Sequence, residues 1–414
     1  MFTSLALLLG LLCSGFAIAQ TGETYFVSPS GNDFNSGTRA QPWASIERVN
    51  QQAFGAGDRL LFEAGCTFKG TMLLDENDRG ISGSPTLISS YGQGVATIDA
   101  ADARAISVEG GQHIRIENLR LRGSGRKHGN TESGLYISSV TDIEVNAVEI
   151  FGFQHSGLYF AGVNKGRFTK IHAYENGFAG ISSRGEFSDD IYVGYCLTEN
   201  NPGDPTILDN HSGNGIVLGK VRKGTIEYCE SRYNGWDMPR EGNGPVGIWS
   251  YHSDRITIQH NISHHNRSTG IDGGGFDFDG GMTNSVLQYN YSHNNHGSGY
   301  LICQYKGAAP FHSNVVRYNI SQDDGLTNHN AGIHIWQGGE GMESTDVYNN
   351  TIYNSKGSGV SFGAAREVTE KTPIGRFFNN IFVTGESQIS GGAHKGEFKG
   401  NLYWAMGDGG FSVD

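Results

Sequence analysis

A glycine followed by alternating apolar residues recurs along most of this 414-residue chain, and no other feature constrains its fold as strongly. The glycines that mark the repeat are Gly134, Gly157, Gly180, Gly215, Gly247, Gly275, Gly299, Gly332 and Gly359. Successive markers are 23 to 35 residues apart. Repeats of this length build solenoids, in which each unit buries its apolar face against its neighbours. The repeat also sets a register, which predicts the side chains of different coils that lie side by side.

The composition favours strands over helices. The chain has 62 glycines, only 17% of its residues are charged, and beyond the N-terminus no run has the periodicity of a helix. A second alternating stretch in the repeat often ends at an asparagine, as at Asn118, Asn261, Asn290, Asn319, Asn350 and Asn380. Asparagine tolerates left-handed backbone and bonds its own turn, so a stacked corner ladder is expected. The prediction is an all-β, single-stranded right-handed parallel β-helix with an N-terminal cap.

The chain divides into four predicted segments. Residues 1–19 contain an apolar core and the small-residue site Ala17-Ile18-Ala19, which is typical of a secretory signal peptide. The protein is therefore predicted to be secreted or periplasmic, and the apolar run is too short to indicate a membrane span. Residues 20–105 are predicted to form the cap and first coils, with a short helix over residues 45–54. Residues 106–385 are predicted to form the coils and residues 386–414 a C-terminal cap, in a protein expected to be monomeric.

The net charge and the cysteines of the chain limit the binding partners and cross-links that can be expected. The net charge of −12 disfavours nucleic acid, because binding a polyanion needs a basic surface. Cys196 and Cys229 each follow a tyrosine at the end of equivalent stretches, so they are expected to stack in neighbouring coils. Parallel strands lie about 4.8 Å apart, which allows either a disulfide or two buried free thiols. No cysteine and histidine spacing in the chain indicates a structural zinc site.

The N-terminal region carries a resemblance. Residues 25–33 (YFVSPSGND), Pro42-Trp43 and residues 57–62 (GDRLLF) resemble the opening of secreted β-helix proteins that act on carbohydrates. Those proteins include polysaccharide lyases and glycoside hydrolases, and the polygalacturonase group is similar in fold class. The resemblance implies a β-helix that acts on a polysaccharide or oligosaccharide, without selecting one enzyme family.

The register assembles a candidate site on one face. Strand side chains alternate, so the second and fourth residues after each marker glycine point away from the core. Across four neighbouring coils the second positions are Trp249, Asp277, Leu301 and His334, and the fourth positions are Tyr251, Asp279, Cys303 and Trp336. Extending each strand by one or two residues adds His252, Gln304, Tyr305 and Gln337. Aromatic rings that pack on sugar rings, with short polar groups that bond hydroxyls, indicate a carbohydrate site.

Residues 272–281 (DGGGFDFDGG) are the sharpest local signal. Asp277 and Asp279 are expected to project from one face with Cα atoms about 6.5–7 Å apart. Like charges at this distance raise one pKa, which suits one aspartate to general-acid chemistry and the other to a base or nucleophile role. Second-rank candidates are Asp272 in the same run and Asp237 and Glu241 in an insertion that is expected to wall the cleft.

Several interpretations stay open at this level. The Asp-rich run could instead bind calcium or form a plain turn, although no cofactor is required by the leading hypothesis. That hypothesis is a secreted glycoside hydrolase, with a polysaccharide lyase or uronate epimerase, or a non-catalytic glycan-binding solenoid, as alternatives. The histidines at the coil corners, which are His264, His265, His293 and His296, are interpreted as a polar ladder, with metal binding as the alternative.

Overall fold

The computed structural model describes residues 22–339, 342–343, 345–363 and 374–406. The predicted signal peptide, residues 1–19, and the end of the predicted C-terminal cap lie outside these residues. Within them the protein is an all-β solenoid whose strands pair in parallel, and the all-β parallel β-helix prediction is confirmed. No helix in the described part of the chain has the length and apolarity needed to cross a membrane.

One face of the solenoid is a twelve-strand parallel sheet. Its strands are Met72–Leu74, Ile106–Glu109, Leu135–Ser138, Ser156–Ala161, Ala179–Ser183, Asn214–Gly219, Val246–Tyr251, Gly274–Phe278, Tyr300–Gln304, Ala331–Gln337, Ser358–Phe362 and Ile389–Ser390. Most of these strands begin close to a marker glycine, and the others align in register with such a strand. The glycine repeat therefore predicted this sheet.

The remaining strands form a 25-strand sheet that bends around the rest of the solenoid. They are Thr24–Val27, Arg59–Glu63, Thr67–Lys69, Thr86–Tyr91, Ala96–Ala101, Gln112–Gly123, Thr141–Phe151, Asn164–Thr169, His172–Tyr174, Ser188–Gly194, Leu197–Glu199, Val221–Glu227, Glu230–Arg232, Asp254–Gln259, Ile262–His264, Val286–Gln288, Tyr291–His293, Val315–Arg317, Ile320–Gln322, Thr345–Tyr348, Thr351–Asn354, Gly375–Phe378, Ile381–Thr384, Gly396–Lys399 and Leu402–Ala405. From residue 164 onward most coils contribute two strands to it, so a coil has three strands rather than the two that the sequence patterns indicated.

The helical content is small. The described α-helix is Ile46–Val49, and a 3-10 turn spans Ala393–Lys395. The Ser45 side chain caps the helix by accepting a hydrogen bond from the Arg48 amide at 3.1 Å. The helix is shorter than the predicted residues 45–54, because the backbone leaves helical geometry after Asn50. Its buried face, Ile46 and Val49, joins the core of the solenoid.

The marker glycines are needed because the backbone is approached closely at these positions. A Cβ built on Gly275 would lie 2.1 Å from Ser292 Oγ and 3.1 Å from Asn295 Nδ2. Immediately after it, Phe276 and Phe278 are fully buried in the core, and the Phe276 ring stacks on Tyr300 with centroids 5.4 Å apart. The two phenylalanines therefore fix the direction of the residues between and beyond them, Asp277 and Asp279.

The predicted asparagine ladder runs along one corner from Asn261 onward and is buried, but the prediction was wrong for Asn118, which is exposed and has left-handed backbone itself with a φ of 53°. Asn290 donates from Nδ2 to Asn319 Oδ1 at 3.1 Å and to Ile258 O at 2.9 Å, and its own Oδ1 accepts from the Asn261 amide at 3.0 Å. The same pattern continues through Asn350, Asn380 and Asn401. The left-handed residue at these corners is the one before each ladder asparagine, such as Tyr289 with a φ of 57°. The ladder asparagine is therefore selected by its hydrogen bonds rather than by its backbone angles.

The two central cysteines extend this ladder upstream. The Cys229 amide donates to Asn261 Oδ1 at 2.9 Å, and the Cys196 amide donates to Cys229 Sγ at 3.5 Å. Both thiols are buried and free. The stacked free-thiol alternative is the one that the structure contains, with sulfur in the place of the amide oxygen.

A second ladder lies at the corner before the twelve-strand sheet and ends in a carboxyl group. It comprises Asn176, Asn201, Asn234, Asn266, Asn295 and Asp324. Asp324 Oδ1 accepts from Asn295 Nδ2 at 2.8 Å and Asp324 Oδ2 accepts from Ser321 Oγ at 2.7 Å. Burial raises the pKa of Asp324 to about 6 in spite of these bonds. Asp324 is 1% exposed and terminates this buried ladder.

Replacing Asp324 with Asn is expected to stabilise the protein at alkaline pH. A carboxyl whose pKa is raised on folding favours the folded state below its unfolded pKa, and that contribution is lost as the pH rises through about 6. The Asp324→Asn variant should therefore gain about 1–3 kcal/mol in the free energy of unfolding at pH 8 and nothing below about pH 4. Urea unfolding at both pH values measures this, and an equal difference at both would contradict it.

Candidate active site

The outer face of the twelve-strand sheet carries a cavity of about 570 Å³. Its lining residues are Asn210, His211, Asn243, Gly244, Val246, Trp249, Tyr251, Ile271, Asp272, Asp277, Asp279, Leu301, Cys303, Tyr305, His329, His334 and Trp336. The floor comes from four neighbouring strands of the sheet, and the walls come from the loops that precede those strands. A cavity of this volume matches the size of small-molecule and sugar sites.

The register of the sheet brings the predicted columns together. Trp249 pairs with Asp277, Asp277 with Leu301, and Leu301 with His334. In the second column Cys303 pairs with Trp336 and also bonds Asp279. Both aspartates therefore face away from the core, beside aromatic rings of the neighbouring coils.

Asp277 lies on the floor of the cavity and is only 3% exposed, so the expectation that it faces open solvent is wrong. Its Oδ1 atom is buried and has no hydrogen-bond partner among the described residues. Burial, together with the charges of Asp279 and Asp272, holds the pKa of Asp277 well above its usual range. Burial therefore favours the protonated form of Asp277, which is the form that a general acid needs.

Asp279 lies two residues further along and is half-buried. Burial raises the pKa of Asp279 to about 6, while hydrogen bonds from the Cys303 thiol and the Gly280 amide partly oppose the rise. The Gly280 amide lies 2.8 Å from Asp279 Oδ1. Burial and the neighbouring acids raise the pKa of Cys303 well above its usual range, so it stays a thiol that donates to Asp279. The two aspartates therefore differ in environment: Asp279 accepts hydrogen bonds that favour its ionised form, whereas Asp277 Oδ1 has no partner among the described residues.

Asp272 reaches the same cavity from the loop before the strand. Its Oδ2 atom accepts from the Gly244 amide at 2.9 Å, and its Oδ1 atom lies 3.3 Å from His329 Nε2. The His329 ring stacks on His334 with centroids 4.1 Å apart. Burial, with a smaller effect from His329, lowers the pKa of His334 to about 3, and its Nδ1 atom lies 2.7 Å from Ser361 Oγ. His334 is therefore a neutral hydrogen-bonding group in the cavity.

Aromatic side chains form much of the rest of the lining. Trp249 is buried, and its Nε1 atom donates to Asn214 Oδ1 at 3.0 Å. Its ring contacts His211 edge to face at 5.0 Å and Tyr251 at 5.5 Å. Trp336 is half-buried two coils from Asp279. These rings provide apolar surfaces on which a sugar ring can pack.

Five of the predicted site residues do not line this cavity. Gln304 is fully buried below the sheet, where its side chain bonds the Gly281 amide and the Ala309 carbonyl oxygen, so its predicted substrate contact is wrong. Gln337 pairs with Gln304 in the next strand and also points inward, and its side-chain oxygen is buried. The alternation that placed the aspartates outward therefore placed both glutamines inward.

The other three lie beside the cavity or away from it. His252 Nε2 lies 2.8 Å from the Tyr305 hydroxyl, so it orients a lining residue without lining the cavity itself. Asp237 forms ion pairs with Arg126 and Lys127. Glu241 is exposed, and the wall comes instead from Asn243 and Gly244. Neither Asp237 nor Glu241 lines the cavity, although the insertion that carries them contributes to its wall.

Sequence reasoning missed several lining residues. Leu301 and Cys303 already stood in the two columns, so the register itself could have identified them. His211 comes from the loop before the strand Asn214–Gly219, and the pattern gave no reason to select that residue. His329 sits in an irregular loop where no periodicity applies, and nothing in the sequence marked it.

A second cavity of about 440 Å³ continues along the same face and shares Asn210 with the first. His155 and Phe178 line it, with ring centroids 4.9 Å apart, and Phe178 lies 5.7 Å from His211 in the first cavity. Arg184 also lines it and lies 2.9 Å from His155 Nε2. The two cavities therefore form an elongated groove with a nearly continuous aromatic surface.

The carboxylate oxygens of the three aspartates in the cavity do not lie close enough together to form a metal-binding cluster. Among the described residues, the cluster of three or more histidine, cysteine or carboxylate ligand atoms lies elsewhere, at His264, His265 and His293. Asp272, Asp277 and Asp279 share the cavity without such convergence. Calcium binding by the Asp-rich run stays a prediction.

Comparisons with known proteins agree with this architecture. A family model described as a right handed beta helix region matches residues 204–372. The structure is similar to a GH136 lacto-N-biosidase from Eubacterium ramulus, with a TM-score of 0.59, 17% identity, and coverage of 93% of this chain and 68% of that one. It is also similar to the A-module of the Azotobacter vinelandii mannuronan C-5 epimerase AlgE6, with a TM-score of 0.58, 14% identity, and coverage of 84% and 91%.

These similarities establish the fold and its handedness. No curated protein sequence matches the chain. The protein is a right-handed parallel β-helix, and its structural neighbours are carbohydrate-active β-helix enzymes.

Proposed function

We propose that the protein is a glycoside hydrolase that cleaves an oligosaccharide or polysaccharide in the groove of the twelve-strand sheet. The observation that carries this proposal is the pair of aspartates on the groove floor whose environments separate their pKa values. Two carboxyl groups of this kind supply the acid and the base or nucleophile of glycosidic bond cleavage. The fold of the neighbouring carbohydrate-active enzymes supports a glycan substrate.

In this proposal Asp277 is the general acid that protonates the leaving oxygen of the scissile bond. Its buried carboxyl, whose pKa is held well above its usual range, suits that step, and its side chain lines the cavity in which a substrate would lie. Asp279 is the carboxylate that attacks the anomeric carbon or activates water. Trp249, Tyr251 and Trp336 hold the sugar rings, and the neutral His334 bonds a hydroxyl.

The lining of the cavity favours hydrolysis over lyase or epimerase chemistry. Proton abstraction next to a uronate needs a cation that stabilises the resulting anion. None of the described side chains that line the first cavity is a lysine or arginine, and three of them are aspartates. A hydrolase needs no such cation, because its transition state gains positive charge that carboxylates stabilise.

Product analysis tests the proposed function. The protein should be incubated with a panel of plant, algal and bacterial polysaccharides and oligosaccharides. We expect new reducing ends without near-ultraviolet absorption from at least one substrate. An unsaturated, absorbing product would replace the proposal with a lyase, and tight glycan binding without any product would replace it with a binding solenoid.

The pH dependence of turnover provides an independent prediction. Asp279 has to be ionised, and burial raises its pKa to about 6, so kcat/KM should fall about tenfold per pH unit below pH 6. Asp277 has to keep its proton, and its raised pKa keeps the enzyme active at neutral pH. Initial rates from pH 4 to 9 at constant ionic strength measure this. Undiminished activity at pH 4 would contradict the role of Asp279.

A further inference from the structure

Three histidines cluster on the outer face of the 25-strand sheet, away from the groove. His264 and His293 pair in neighbouring strands, and His265 follows at the corner. One ring nitrogen from each of the three lies within 4.8 Å of the others, and all three side chains are half-buried. His296, the fourth histidine of the corner pattern, does not belong to the cluster. The sequence allowed either a polar ladder or a metal site for these four histidines, and in the structure three of them lie close together.

The geometry of the rings goes beyond a simple ladder. The His264 and His293 rings stack in parallel at 4.5 Å, as ladder residues do. His265 stands perpendicular to both, with centroids 5.0 and 5.4 Å away. Its Nδ1 atom lies 2.7 Å from His264 Nδ1. The two δ-nitrogens therefore face each other. Nitrogens bound to one zinc ion each lie about 2.0–2.1 Å from the metal, so the two nitrogens have to move slightly apart to bind the same ion.

A carboxylate orients the central histidine. His264 Nε2 lies 3.1 Å from Glu230 Oε1, so in the neutral ring the ε-nitrogen donates and the δ-nitrogen keeps its lone pair. Glu230 is itself fixed by Arg232, whose NH1 atom donates to it at 2.7 Å. A carboxylate on the far nitrogen of a histidine is the arrangement that orients metal-binding imidazoles.

The positive charges near the three histidines are accompanied by carboxylates. Arg232 and Arg267 are the cations whose charges act on the cluster. Arg232 also donates to Glu199 at 2.8 Å, so two carboxylates accompany it. Burial lowers the pKa of His264 and His265, which leaves both rings in the neutral form that binds metals.

We propose that His264, His265 and His293 bind one divalent transition-metal ion, of the kind that prefers imidazole nitrogen, such as Zn²⁺. Small rotations of the three rings bring their nitrogens to a common centre. His265 moves its proton from Nδ1 to Nε2 on binding, so neutral rings bind without net proton release. The ion would join two successive coils at the corner that leads into the twelve-strand sheet, and water would complete its coordination.

Metal titration of the mature protein without an affinity tag tests the proposal. After treatment with a chelator, Zn²⁺ is titrated against a chromophoric competitor, and Co²⁺ is added in parallel to record its visible spectrum. We expect one equivalent of Zn²⁺, a rise of about a few degrees in Tm at saturation, and nitrogen-ligand Co²⁺ bands. The His293→Gln and His265→Asn variants should each bind Zn²⁺ at least tenfold more weakly, and Asn suits the left-handed backbone of residue 265.

His260 provides the matched control, because its ring stacks between Tyr228 and Tyr289 on the same sheet but outside the cluster. His260→Asn, which also suits the left-handed backbone of residue 260, should leave Zn²⁺ binding unchanged. Circular dichroism of each variant without metal verifies that it is folded. Binding of less than half an equivalent by the folded parent protein, or an equal loss in the His260→Asn variant, would overturn the proposal.

Discussion

The Asp277→Asn variant is expected to lose at least about 1,000-fold in the rate of sugar release while becoming more stable than the parent protein. The activity falls because an amide cannot deliver the proton that the leaving oxygen requires, and general acid catalysis contributes about 10²–10⁴-fold. Initial rates of reducing-end formation, measured with the first active substrate of the panel, give the size of the loss.

The stability rises because the variant no longer buries an ionisable group. The pKa of Asp277 is raised on folding, so its carboxyl favours the folded state below the unfolded pKa and disfavours it progressively as the pH increases. Asn has a similar shape and no charge. The variant should therefore gain in the free energy of unfolding at pH 8 and gain little at pH 4. This opposition between activity and stability is typical of functional sites.

Two companion variants complete this experiment. Asp279→Asn should lose activity to a similar extent, because an amide cannot act as the nucleophile or base. Asp346→Asn is the control, since this aspartate is paired with Arg376 on the 25-strand sheet and lies outside the groove. Full activity in either groove variant, or a loss in the control, would contradict the assigned roles.

Removing one asparagine from the buried corner ladder is expected to have the largest effect on folding. Asn290→Ala deletes the Nδ2 bonds to Asn319 Oδ1 and Ile258 O. It also removes the acceptor of the Asn261 backbone amide and one of the two acceptors of Asn261 Nδ2, in a place that water does not reach. Each buried group left unpaired costs about 1–3 kcal/mol, so the total loss should be about 3–5 kcal/mol.

Gln288 in the same coil is the matched control for the ladder. It belongs to an outer amide series between Gln259 and Arg317 and is half-buried. Gln288→Ala should cost less than about 1 kcal/mol, because water replaces its hydrogen bonds. Urea unfolding gives the comparison, and hydrogen exchange at the Asn261 amide reports the local effect. Equal destabilisation by the two variants would show that burial of the ladder is unimportant.

The register of the repeat was readable from the sequence because it depends on local patterns. A glycine where the backbone is approached closely, followed by two buried residues such as Phe276 and Phe278, fixes the direction of everything between them. The same two-residue period places Trp249, Asp277 and His334 in one row. The corner ladder was readable from the recurring asparagine, but its physical reason was not, because the left-handed residue is the one before each ladder asparagine and the exposed Asn118 lies outside the ladder.

Two features of the site could not be predicted from the sequence: the positions of the loops that form its walls, and how deeply the aspartates are buried. The walls that cover Asp277 come from residues such as His211, Asn243 and His329, whose positions follow from tertiary packing rather than from any period. Without the walls, the burial that raises the carboxyl pKa values could not be inferred. Gln304 was placed in the site because the strand was extended past the point where its alternation turns inward.

Cleavage in water enriched in ¹⁸O, followed by mass spectrometry of the products, tests the groove's proposed chemistry most directly. We expect one ¹⁸O atom at each new reducing end formed by the parent protein, and no labelled product from Asp277→Asn or Asp279→Asn. Products without ¹⁸O that carry a carbon–carbon double bond, or labelled products from the two variants at the parent rate, would contradict hydrolysis by this pair of aspartates.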